Sequence, residues 1–167
     1  MKGLFFILLC PILFSACIGQ KARKHPELYL NSDAFPADLK KDGYILLVLK
    51  EESSPLVAKI QNNRVDKLMK EYYSKPYELV SSSDVSSNPK YADKNVYRYL
   101  IRQNIHDAVT STEKNDRGVE INSMTFVHRD IFIEDRLMKK ELPGAGLNGD
   151  SYQADMMIVA PYLGKMK

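Results

Sequence analysis

Apolar residues are spaced along this chain in several different ways, and each spacing predicts a different element. From Leu4 to Leu9 they run without a break, and Ile12, Leu13 and Phe14 extend the run behind a single cation, Lys2. A lasting membrane span takes roughly 20 apolar residues, more than this stretch supplies. A positive tip, about 7 to 15 apolar residues and then small residues make a secretory signal instead. Residues 1–16 are therefore expected to be a signal peptide.

A second apolar run, Tyr44-Ile45-Leu46-Leu47-Val48-Leu49, follows the turn pair Asp42-Gly43 and stops at Lys50-Glu51-Glu52. A short unbroken run bounded in this way predicts a strand covered on both faces, placed at the centre of a sheet. Ser54-Pro55 then offers a helix N-cap with proline in the first turn. Val57, Ile60, Val65, Leu68, Met69 and Tyr72 recur at helical spacing among charged residues, although Asn62-Asn63 interrupts the pattern. A short strand, Tyr77 to Val80, completes a βαβ unit, whose crossover is right-handed if its strands are parallel.

Ser81 to Pro89 is polar and without period, which predicts a loop. Strand character returns over Asn95 to Gln103. Asn115-Asp116-Arg117-Gly118 is a hairpin turn signal, and Val119 to Ile133 alternates in part, predicting a long strand paired with the one before it. Pro143 to Gly149 reads as a glycine-rich loop. Ser151 is placed to cap a last helix through Tyr152, Met156, Ile158 and Val159, which Pro161 should kink or end. The expected fold is α/β or α+β: one small domain over residues 39–167, with a mixed sheet of four or five strands, a βαβ start, a β-hairpin and a C-terminal helix.

Residues 17–38 show little periodicity and read as a tether, with a basic run of Lys21, Arg23, Lys24 and His25 followed by Pro26 and Pro36. Such a run beside a lipid anchor can rest on anionic headgroups, each charge adding about 1 kcal/mol. It serves equally as a solvated linker. Taking 16 residues from 167 leaves 151, and losing Lys2 lowers the formal net charge from +3 to +2. A chain of this length buries on the order of 70% of its unfolded surface without staples. The interspersed charges lack the concentrated basic stripe of a nucleic-acid binder, and export points the same way.

Of the two cysteines, Cys10 lies in the signal and Cys17 directly after it. The body therefore has no disulfide framework, CxxC pair or cysteine-ligated zinc. Leu13-Phe14-Ser15-Ala16-Cys17 resembles the lipobox of bacterial lipoproteins processed by signal peptidase II, in the looser style of the Bacteroidota, with Phe14 where Leu is usual. The resemblance covers about twenty residues. It implies that Cys17 becomes the acylated N-terminus and that the protein is exported and membrane-anchored. Surface lipoproteins of this type carry acidic residues after the cysteine, so the basic run here points to the periplasmic side of the outer membrane.

Candidate chemistry in the body is sparse. Gly144-Ala145-Gly146-Leu147-Asn148-Gly149 spells G-x-G-x-x-G, but no strand and acid follow it to complete a dinucleotide site, so a flexible turn and no cofactor are expected. His128-Arg129-Asp130 spells a kinase triplet with none of the other kinase elements around it. His106-Asp107 and His128 with Asp130 supply two members of a hydrolytic triad, but no serine sits in a G-x-S-x-G elbow. His106, His128, Asp130, Glu134 and Asp135 would meet as metal ligands if their strands were neighbours. No H-x-x-x-H or H-E-x-x-H pair is present, and no metal is predicted. Tyr97, Arg98, Tyr99 and Arg102, and the cluster Tyr72, Tyr73 and Tyr77, suit an aromatic and guanidinium surface for glycan or peptide. Packing against cross-strand neighbours is the competing use.

These observations lead to a noncatalytic envelope lipoprotein, a binding or assembly module held to the membrane by its N-terminal lipid, with an envelope protein or glycan as partner. The candidate ligand surface is Tyr97, Arg98, Tyr99, Arg102, His128 and Asp130. An envelope hydrolase using a histidine and a carboxylate, and a structural spacer, are the alternatives.

Overall fold

The computed structural model describes residues 22–142, 144–145 and 152–166. The signal, the lipobox with Cys17, Gly146 to Gly149 and the Ser151 cap lie outside them. Strands β1 (Leu46–Leu49), β2 (Tyr77–Val80), β3 (Tyr99–Lys114), β4 (Glu120–Asp135) and β5 (Lys140–Glu141) form one mixed sheet in the order β2-β1-β3-β4-β5. β1 is parallel to β2 and to β3, while β3, β4 and β5 are antiparallel to one another. The single mixed α/β domain read from the sequence is what the chain forms. β3, not β1, holds the middle of the sheet.

β1 is covered on both faces because its residues alternate between two apolar layers. Leu46 and Val48 face a core built with Val65, Leu68 and Met69 of helix α1 (Pro55–Tyr72) and Met156, Val159, Ala160 and Leu163 of a C-terminal helix, Tyr152–Lys165. Leu47 faces the opposite way, against Val80, Tyr91, Tyr97 and Leu100. Each fully buried side chain of this kind contributes ~1.5–3 kcal/mol.

Asn62-Asn63 does not break α1. The Asn62 amide bonds the backbone of Glu51 in both directions, accepting from its N–H at 2.8 Å and donating to its carbonyl at 3.0 Å. A polar residue in mid-helix thus ties the helix to the end of β1. Pro55 takes the first turn as expected, but the Ser54 hydroxyl makes no cap bond.

Three further expectations are corrected. The polar stretch after β2 contains helix α2 (Ser82–Ser87), nucleated by Ser81, whose hydroxyl accepts from the N–H of Asp84 at 3.1 Å. A serine cap with an acid three residues on outweighs poor periodicity. The C-terminal helix, α3 (Tyr152–Lys165), runs through Pro161, which sits on its buried side. Packing on α1 offsets the missing N–H. β3 begins at Tyr99 instead of Asn95, because Asp93 turns the chain by accepting from Val96 and Tyr97 N–H.

The largest correction concerns the expected tether. From Ala22 onward the chain is folded onto the body. Ala34, Phe35 and Leu39 are buried in the main core, and Phe35 packs on Tyr162 at 4.7 Å between ring centroids. Lys165 donates to the carbonyl of Lys24 at 2.5 Å, and the Asn31 N–H to that of Ala145 at 2.9 Å. A few apolar anchors among polar residues are enough to dock a segment whose own pattern is weak. No helix among the described residues is long and apolar enough to cross a membrane.

Candidate functional site

β3 and β4 are each 16 residues long, whereas β1 and β2 have 4 and β5 has 2. The body therefore supports only their base. β3 pairs with β1 at Leu100 and Ile101, and β4 pairs with β5 at Glu134 and Asp135. Leu142 and Ala145 N–H extend that edge by donating to Ile133 and Ile131 carbonyls, at 2.9 and 2.8 Å. From the pair Asn104/Asp130 to the pair Lys114/Glu120, the two strands are hydrogen-bonded to each other and, among the described residues, to no further strand. At about 3.3 Å per residue this makes an arm on the order of 30 Å long, with no strand of the described residues on either outer edge.

The arm closes on the predicted turn. Gly118 has φ +77°, the Asn115 side chain accepts from Arg117 N–H at 3.0 Å and Val119 N–H at 2.9 Å, and residues 112–120 are exposed. Its ladder pairs Val109 with Phe126, Thr110 with Thr125 and Ser111 with Met124. Valine, threonine and phenylalanine are residue types that favour strands, in keeping with this register.

At the root of the arm the register shifts. Ile105 pairs with Arg129 and Ala108 with Val127, so His106-Asp107 on β3 stand opposite His128 alone on β4. This is the count of a β-bulge, a device that re-aims side chains and recurs beside active sites. The backbone therefore brings two of the sequence candidates, His106 and His128, opposite each other at the bulge, with Asp130 two residues further along β4, paired with Asn104. Asp130 has a further neighbour: a Cβ at Gly144 would fall on its carboxylate, which would have to move aside. Among the described residues no group of three His, Cys, Asp or Glu is arranged to hold a metal.

The remaining candidates anchor the base of the arm. Arg98 donates to Asp135 at 2.7 and 3.1 Å, to Asp38 at 2.9 Å and to the Tyr44 hydroxyl at 3.1 Å, with the Tyr99 ring 4.9 Å from its guanidinium carbon. The Tyr99 hydroxyl donates to Asp38 at 2.5 Å. Burial raises the Tyr99 pKa first, and the Asp38 carboxylate beside it adds to the rise. For Asp135, burial pushes the pKa up but is outweighed by Arg98 and by the N–H groups of Met138 and Leu137, leaving it below its ordinary value. Tyr97 is buried on the other side of the sheet, edge-on to Tyr91 at 5.1 Å. Arg102 pairs with Glu134 at 3.7 Å and with Glu141.

Tyr97 and Tyr99 thus belong to different apolar layers, and Arg98 is spent on internal partners. Tyr73 and Tyr77 likewise pack edge-on to each other, with the Tyr77 hydroxyl on Asp66 at 2.9 Å. Arg136, which the sequence did not single out, is buried and donates to the carbonyls of Tyr97 and Tyr91 at 2.7 and 2.8 Å. Desolvation lowers its pKa. Compared with protein-family models and with curated proteins, the chain matches none.

Proposed function

We propose that this protein is an exported envelope lipoprotein, acylated at Cys17, that works by binding, and that the β3–β4 arm is its contact with a partner in the envelope. The observation that carries the reading is the length mismatch between 16-residue strands and companions of 2 to 4 residues. Two edges that no described strand covers present backbone donors and acceptors that another chain can pair with. The signal, the lipobox and the absence of a catalytic motif in the sequence support the envelope setting and the noncatalytic role.

Replacing residues 106–128 by Asn-Gly between the paired Ile105 and Arg129 shortens the arm to a two-residue hairpin. The variant is expected to keep the melting behaviour of the body and to lose its crosslinked envelope partner in cells. Retention of the same crosslinked partner would contradict the reading.

The bulge favours one second reading, an envelope hydrolase using His106 or His128 with a nearby carboxylate. Double substitution of both histidines by alanine separates the two. Partner capture persists if the arm acts through its edges, and is lost together with any measured turnover if the histidines are the working groups.

A further inference from the structure

Helix α1 has a second face that the core does not use. Leu56, Ile60, Arg64, Lys67 and Glu71 follow at intervals of three and four residues, which places them in one stripe along the helix. The buried residues Val65, Leu68 and Met69 lie on the opposite side or at its border. At the N-terminal end of the stripe the exposed residues are apolar: Leu56 is 70% exposed, Ile60 44%, and the adjacent Val57 42%. Toward the C-terminal end they become cationic, and there a cleft of about 210 Å³ opens, lined by Arg23, Arg64, Lys67, Leu68, Glu71 and Met157. Three cations and one carboxylate surround an apolar floor, so the cleft carries a net positive charge and suits a phosphate group.

Its position in the chain says which phosphate. Arg23 is the second described residue, and Ala22 before it is buried. Between Cys17 and Ala22 there are five Cα steps, which span at most about 18 Å when fully extended. Acylation at Cys17 would therefore hold this side of the body against the bilayer. An exposed apolar half-face beside a cationic one, within that reach, is the arrangement of a helix lying in a membrane interface.

We propose that the α1 stripe, with Arg23, is a membrane-docking surface that rests on an anionic bilayer and takes a lipid phosphate into the Arg23/Arg64/Lys67 cleft. The proposal rests on the envelope reading above and adds an orientation to it: α1 faces the lipid.

The test uses the mature chain, from residue 17 onward, carrying Cys17→Ser so that no acyl chain contributes, in flotation with vesicles of phosphatidylglycerol and phosphatidylethanolamine or of phosphatidylcholine alone. Binding is expected to the anionic vesicles only and to fall as salt screens the charges. Arg64→Gln with Lys67→Gln should weaken it about thirtyfold, roughly fivefold for each headgroup-facing charge. Leu56→Ser with Ile60→Ser should weaken it while leaving the salt dependence in place. These positions are on the surface, so melting temperatures should not change. Equal binding to both vesicle types, or no binding to either, overturns the proposal. Binding of inorganic phosphate without vesicle binding overturns it too, since the cleft would then serve a soluble anion. Labelling of the wild-type protein with a palmitate analogue reads acylation separately, so failure of the anchor and failure of the docking surface are distinguishable.

Discussion

At the scale of single residues the body is tied by a few side chains whose loss has calculable consequences. Arg98 joins β3 to the N-terminal segment and to the end of β4 through Asp38 and Asp135. Because the Asp135 pKa is lowered from 3.8 in the folded state, its contribution is complete above that value and is lost as pH falls through the folded pKa. Melting temperature is therefore expected to drop below about pH 4, and Asp135→Asn should flatten that limb while costing about 2–3 kcal/mol at neutral pH, because Arg98 loses a partner at a mostly buried site. Melting curves of both proteins from pH 2 to 7 check this. Gly164 is a second such position: a Cβ there would lie 2.6 Å from the Tyr72 carbonyl oxygen, so it sets how closely α3 crosses α1. Gly164→Ala should destabilise by about 1–3 kcal/mol in denaturant titration, because the obstacle is backbone and cannot step aside.

Among the elements, those most legible in the sequence are the ones whose own pattern decides their state. β1 and α1 could be read because a six-residue apolar run and an i, i+3, i+4 stripe specify strand and helix without outside help. The N-terminal segment was not legible, because Ala34, Phe35 and Leu39 are sparse anchors whose value depends on the surface they meet. The outer part of β3 was missed for a related reason. Asn104, His106, Asp107 and the threonines after them have no apolar period, and it is pairing with β4 that makes them a strand. Arg98 and Tyr99 stood out by composition, but whether such residues face a ligand or each other is a question of register. An isolated two-stranded ribbon is marginally stable in water. Amide exchange should therefore be slow at Leu100 and Ile101, which β1 also pairs, and faster by at least tenfold beyond Asn104. Uniform protection along β3 would mean that something else covers the arm.

For the whole molecule, three features fall into one geometry. Under the proposed reading, an anchor at Cys17 and the α1 stripe would place one side of the body at the membrane, while the β3–β4 arm runs on beyond the point where β1 and β5 end. In the function proposed above, the lipid would set the location, the body would fix the arm, and the arm would meet the partner. The most direct test of this account is site-specific photo-crosslinking in cells, with the reactive residue at Thr112 or Glu120 on the arm and at Lys59 on α1. The arm positions should yield one protein crosslink, and Lys59 should give lipid or no protein adduct. Protein crosslinks from Lys59 with none from Thr112 or Glu120 would contradict the account.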